Sequence, residues 1–78
     1  MGLLRYETLD EFYADCSFEN VHIIDRKWVG RTQVLLGRMG ENCFYFCYGT
    51  PCETGRYKGK AVVSNDINRL WPLYNNFQ

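Results

Sequence analysis

The sequence predicts an α+β domain: a four-stranded antiparallel β-meander with an N-terminal amphipathic helix and a short C-terminal helix packed on one face. Three observations predict it. A capped apolar repeat at helical spacing opens the chain, four β-branched or aromatic runs separated by turn residues follow, and a short helical repeat closes it.

The opening helix is signalled by Thr8 and Glu11, whose spacing is that of a capping box: each side chain satisfies a backbone amide left free in the first turn. Leu9, Phe12, Tyr13 and Cys16 then recur one helical turn apart and form an inward stripe, with Asp10, Glu11, Ala14 and Asp15 outward. Arg5 and Tyr6 ahead of it are candidates for a short edge strand.

Val21, His22, Ile23 and Ile24 give the first main strand, and residues 32–38 the second. The segment 25–31 between them reads either as a loop or as a bulged extension of the second strand. Met39-Gly40-Glu41-Asn42 separates the second strand from the aromatic run 43–48 at hairpin distance, so these two pair antiparallel. Residues 49–59 hold Pro51, Gly55 and Gly59, which predicts a long irregular loop, and a long loop on a small domain is a candidate for function. A fourth strand covers 60–64. Ser64, Asn65 or Asp66 then caps a short helix carrying Ile67, Leu70 and Trp71, disturbed by Pro72 and ended by Asn75 and Asn76.

With 78 residues, the chain has room for one core, and 1–78 is read as a single domain. Its 46 % apolar content, with two Trp, six Tyr and five Phe, is that of a packed globule. Net charge is zero, which removes a global electrostatic drive toward nucleic acid or membranes. The charge is nevertheless uneven. Of the nine Lys and Arg only Arg5 precedes residue 26, whereas Glu7, Asp10, Glu11, Asp15, Glu19 and Asp25 crowd the same stretch. An acidic helix over a basic sheet accounts for this, and so does a bipolar surface that orients a partner. The start of the sequence lacks a signal-peptide pattern, and Tyr6 stands where a myristoylation motif needs Ser or Thr, so a cytoplasmic protein without membrane attachment is expected.

Little here suits catalysis. The lone histidine, His22, falls in an apolar strand; its pairing with Cys52 as a thiol nucleophile is one of several that four cysteines produce by chance. Cys16, Cys43, Cys47 and Cys52 read mainly as small buried fillers. In a strand, Cys43 and Cys47 lie about 13 Å apart, too far to bond or to share one zinc ion. A zinc-stabilised fold using Cys43, Cys47, Cys52 and either Cys16 or His22 is the alternative. Gly55 to Lys60 ends in Gly-Lys, but lacks the P-loop's spacing, hydroxyl and following helix. The Gly37-Arg38-Met39-Gly40 motif falls in a hairpin rather than between helices.

What remains is basic and aromatic interleaving in two places: Arg26, Lys27, Trp28 and Arg31, then Arg56, Tyr57, Lys58 and Lys60. Arginine, tyrosine and tryptophan dominate protein interfaces, because they combine large area with a polar handle. The expectation is therefore a non-enzymatic protein-binding domain, monomer or homodimer, without metal or cofactor. It would mask or occupy a surface of a larger partner, as do compact inhibitors and adaptors of the kind phages and mobile elements encode. Nucleic acid is the second class of partner, with cations on phosphates and rings on bases.

Overall fold

In the computed structural model, which describes residues 3–16, 21–53 and 57–78, alternating side chains distribute the apolar residues over both faces of one antiparallel sheet. The strands are β1 (Leu4–Tyr6), β2 (Val21–Val29), β3 (Thr32–Met39), β4 (Phe44–Pro51) and β5 (Tyr57–Ser64), in the order β1-β5-β4-β3-β2. Helix α1 (Leu9–Asp15) follows β1, and a 3-10 turn (Ile67–Arg69) leads into α2 (Trp71–Asn75).

The expected four strands are five. The meander runs through β2 to β5 as the turn residues require, and β1 adds beside β5, with Arg5 paired to Val62. The β3–β4 hairpin forms as predicted, with Arg38 opposite Phe44. Gly40 supplies the left-handed φ of +82° in its turn, and the Met39 amide donates to the Cys43 carbonyl at 2.7 Å.

The segment 25–31 is neither a loop nor an extension of the following strand: residues 25–29 continue the preceding strand, β2, past a bulge. Ile24 is the extra residue, since Ile23 pairs with Gly37 while Asp25 already pairs with Leu36. A two-residue turn then reverses the chain, with Gly30 at φ +63° in its first position. The predicted long loop is mostly strand. β4 continues to Pro51 and β5 begins at Tyr57, because Gly49 and Gly59 face each other and let the two backbones close; a Cβ on Gly59 would run into the Tyr48 carbonyl oxygen.

The two helices do not share a face, contrary to expectation. Leu9 and Phe12 of α1 pack on Tyr45, Cys47 and Ala61, while Leu70 and Tyr74 pack on Val34, Leu36, Phe46 and Val62. The strands explain why: Phe44-Tyr45-Phe46-Cys47-Tyr48 is apolar at every position, so each side of β4 needs a cover. Phe12 is fully buried, against Tyr6 (ring centroids 5.5 Å apart) and Tyr45 (5.7 Å), and so ties α1 and β1 to the sheet. The Thr8 hydroxyl accepts from the Glu11 amide at 3.1 Å, the expected cap. Tyr13, assigned inward by periodicity, is exposed, because α1 packs over β5 and β1 and stops short of β2. At the other end, Asp66 caps the 3-10 turn by accepting from the Asn68 amide at 3.0 Å, and Pro72 sits in the first turn of α2, where its missing N–H costs nothing.

Candidate binding surface on the open edge of the sheet

β2 is the outermost strand, so one row of its backbone amides and carbonyls has no neighbouring strand among the described residues. The bulge at Ile24 decides which side chains appear together on it. Ile23, Arg26 and Trp28 pair with Gly37, Leu35 and Gln33, alternate residues of β3, and therefore share the face that α1 only partly covers. In unbroken alternation Ile24, rather than Ile23, would share the face of Arg26 and Trp28. Among the described residues, the exposed large apolar side chains are Leu4, Tyr13, Ile23, Ile24 and Trp28; β2 supplies three of these, and Trp28, at 63 %, is the most exposed. On the same face, beside α1, lies a groove of about 170 Å³ lined by Leu9 and Tyr13 of α1, Gln33 and Leu35 of β3, and Gly49 of β4.

The sequence-predicted cluster is thus split. Arg26 and Trp28 lie on the α1 face, opposite the groove residues Leu35 and Gln33 in the register, and Arg31 is exposed in the turn beside them. Lys27 points to the other face, where its Nζ lies 4.7 Å from the centre of the Tyr74 ring, so it serves packing. Asp25, on that same face, accepts from the Tyr74 hydroxyl; burial first, and then the Asp25 charge, push the phenol up from its ordinary value. The second cluster is not brought to the first. Lys58 and Lys60 lie on β5, three strands from β2, and they alternate with Val62 on the α2 face. Lys60 is paired with Glu7 at 3.1 Å. Tyr57 opens β5 opposite Pro51, and Arg56 lies outside the described residues. A nucleic-acid strand following both clusters would have to cross from one face to the other.

The thiols show where sequence reasoning stopped short. None of the four cysteines is joined in a disulfide. Cys47 is buried under α1, and burial pushes its thiol up to about 12; burial also pushes up Cys43, and Cys16, whose thiol is raised further by the nearby Cys43. That Cys16 and Cys43 are neighbours follows from the seating of α1 on the sheet and has no local signal. Among the described residues no three His, Cys, Asp or Glu side chains are grouped so as to hold a metal ion. His22 is exposed at the Arg38 end of the sheet, while Cys52 follows β4 at the opposite end, on the order of 25 Å along the strand, so these two do not meet.

The exposed apolar positions of β2 were half legible. Trp28 stands out in the sequence with its basic neighbours, whereas Ile23 and Ile24 signal only a strand, and a β-branched run does not say whether its side chains are covered.

Two opposed helical covers on a five-stranded antiparallel sheet with one long open edge define the class of domain. Comparison with protein-family models, with curated proteins and with solved structures returned no match for the chain.

Proposed function

We propose that this domain is a non-enzymatic binding module that masks a surface of a larger protein by pairing its β2 edge with an extended segment of that partner. The observation that carries the reading is the combination on one strand of an open backbone edge with exposed Ile23, Ile24 and Trp28. Strand addition supplies affinity through main-chain hydrogen bonds and specificity through alternate side chains. The bulge at Ile24 interrupts regular pairing, so the partner's main chain pairs along the regular stretch from Asp25 to Val29 and its side chains extend over Ile23 on the same face as Trp28. Trp28 and the groove beside Tyr13 supply the apolar anchor, and Arg26 and Arg31 favour a partner segment carrying carboxylates.

The thiol chemistry supports binding over catalysis. A nucleophilic cysteine needs a lowered pKa, whereas Cys16, Cys43 and Cys47 are all shifted upward by burial.

A photo-crosslinking residue placed at Trp28, and separately at Arg69 on the opposite side of the molecule, tests the reading in cells that make the protein. A discrete partner is expected at position 28, is absent at position 69, and is lost when Ile23→Lys is added. Equal capture at both positions, or capture at position 28 that survives Ile23→Lys, defeats it. Adducts containing only a second copy of the chain replace it with self-association through the same edge.

A further inference from the structure

A second concavity lies on the α2 face, near the edge of the sheet opposite β2. α2 packs over β3 and leaves β5 and β1 uncovered on that side, and the hollow of about 550 Å³ between them falls in the size range of small-ligand pockets. One wall is an aromatic triangle: Tyr48 and Phe77 have ring centroids 4.6 Å apart, with Phe46 at 5.9 and 6.2 Å from them. Val62 and Leu73 extend the apolar lining. Charge is confined to the mouth, where Arg5 projects from β1 on the same face as Val62, and Lys60 stands beside it, held by Glu7 at 3.1 Å. Glu7 offsets Lys60, which leaves the Arg5 guanidinium as the lining cation with no ion pair among the described residues.

We infer that this hollow binds a small amphipathic anion, a carboxylate bearing an apolar chain or ring system, with its tail against Phe46, Tyr48 and Phe77 and its head group on the Arg5 guanidinium. The tail is favoured by removal of apolar area from water. The planar guanidinium fork matches a carboxylate through two parallel hydrogen bonds, which a neutral head group cannot reproduce. Neither the β2 edge nor Trp28 takes part, so the site is independent of the protein-binding role proposed above.

The test is titration of the protein with decanoate, decanol and decylamine, each kept below micelle formation, followed by amide chemical shifts and by calorimetry. Decanoate is expected to bind, shifting the amides of Arg5, Val62 and Phe77, with decanol weaker by about tenfold and decylamine weaker still. Arg5→Gln, a change at an exposed side chain, is expected to reduce decanoate affinity by about tenfold and to leave decanol unchanged. Lys60→Gln, also exposed, is expected to weaken decanoate less, because Lys60 already has Glu7. Equal binding of all three compounds, no binding of decanoate, an unaltered decanoate affinity in Arg5→Gln, or shifts centred on Trp28 would each overturn the inference.

Discussion

At the scale of single residues, two positions allow little substitution. Gly59 has no room for a side chain, because a Cβ there meets the backbone carbonyl of Tyr48, and backbone in a central strand pair cannot step aside as a side chain does. Gly59→Ala is expected to destabilise the fold by about 2 kcal/mol or more, read as a lower urea midpoint. Phe12 is wholly buried against two other rings, so Phe12→Ala removes the contact that seats α1, at a cost of about 3 to 5 kcal/mol. A domain this small has a total stability of about 5 kcal/mol, so the variant should retain no more than about 2 kcal/mol and its melting midpoint by circular dichroism should fall markedly. Trp28→Lys is the contrast. The side chain is mostly in water, and stability should change by no more than about 0.5 kcal/mol while partner capture is lost.

At the scale of elements, burial gives the cysteines unequal chemistry. Cys47 sits in β4 under α1, at 3 % exposure and with its thiol pushed up to about 12, whereas Cys16 and Cys43 lie half-buried at the ends of their elements. Iodoacetamide at neutral pH should therefore label Cys16 and Cys43 before Cys47, which should react only on unfolding; mass spectrometry of timed samples checks the order. The elements also show how sequence signals succeed and fail. Thr8 and Glu11 announced α1 because a cap is a local hydrogen bond. The hairpin at Gly40 was legible because only a left-handed residue makes that turn. The stretch 49–59 misled, because glycines that usually mark a loop here permit close approach of β4 and β5, a property visible only once both strands are in place. Tyr13 misled for a related reason: periodicity says which residues share a helix face, but the width of sheet beneath that face comes from other parts of the chain.

At the scale of the whole molecule, the α1 face holds two acids kept protonated by burial. Tyr45 and Cys47 are both pushed up to about 12, from ordinary values of 10 and 9. In the unfolded chain they ionise at those ordinary values, so above about pH 9 unfolding releases protons that the folded state retains. Stability should be unaffected by these groups below pH 9 and should fall as pH rises toward 12, at about 1.4 kcal/mol per pH unit for each group ionised only in the unfolded state. Urea titrations at a series of pH values measure the slope, and Cys47→Ala should make the decline above pH 9 shallower without abolishing it, because burial also raises Cys16 and Cys43. The molecule also separates its two candidate sites. The β2 edge lies at one side of the sheet and the Arg5 hollow toward the other, so substitutions at Trp28 and Arg5 should have additive effects on stability and independent effects on binding.

The sequence by itself determined the α+β class, the helix cap, the hairpin at Gly40, the run of apolar residues that fills both sides of β4, and the prominence of Trp28 with its arginines. These depend on neighbours within a few residues, through hydrogen bonds, left-handed turns and alternation. Only the tertiary structure decided that β1 joins β5, that the helices cover opposite faces, that Lys27 and Lys60 are engaged with Tyr74 and Glu7, and that Ile23 and Ile24 are in water. Each of those outcomes depends on which distant segment occupies a given face of the sheet, and burial by a distant segment leaves no periodic trace in the segment it covers.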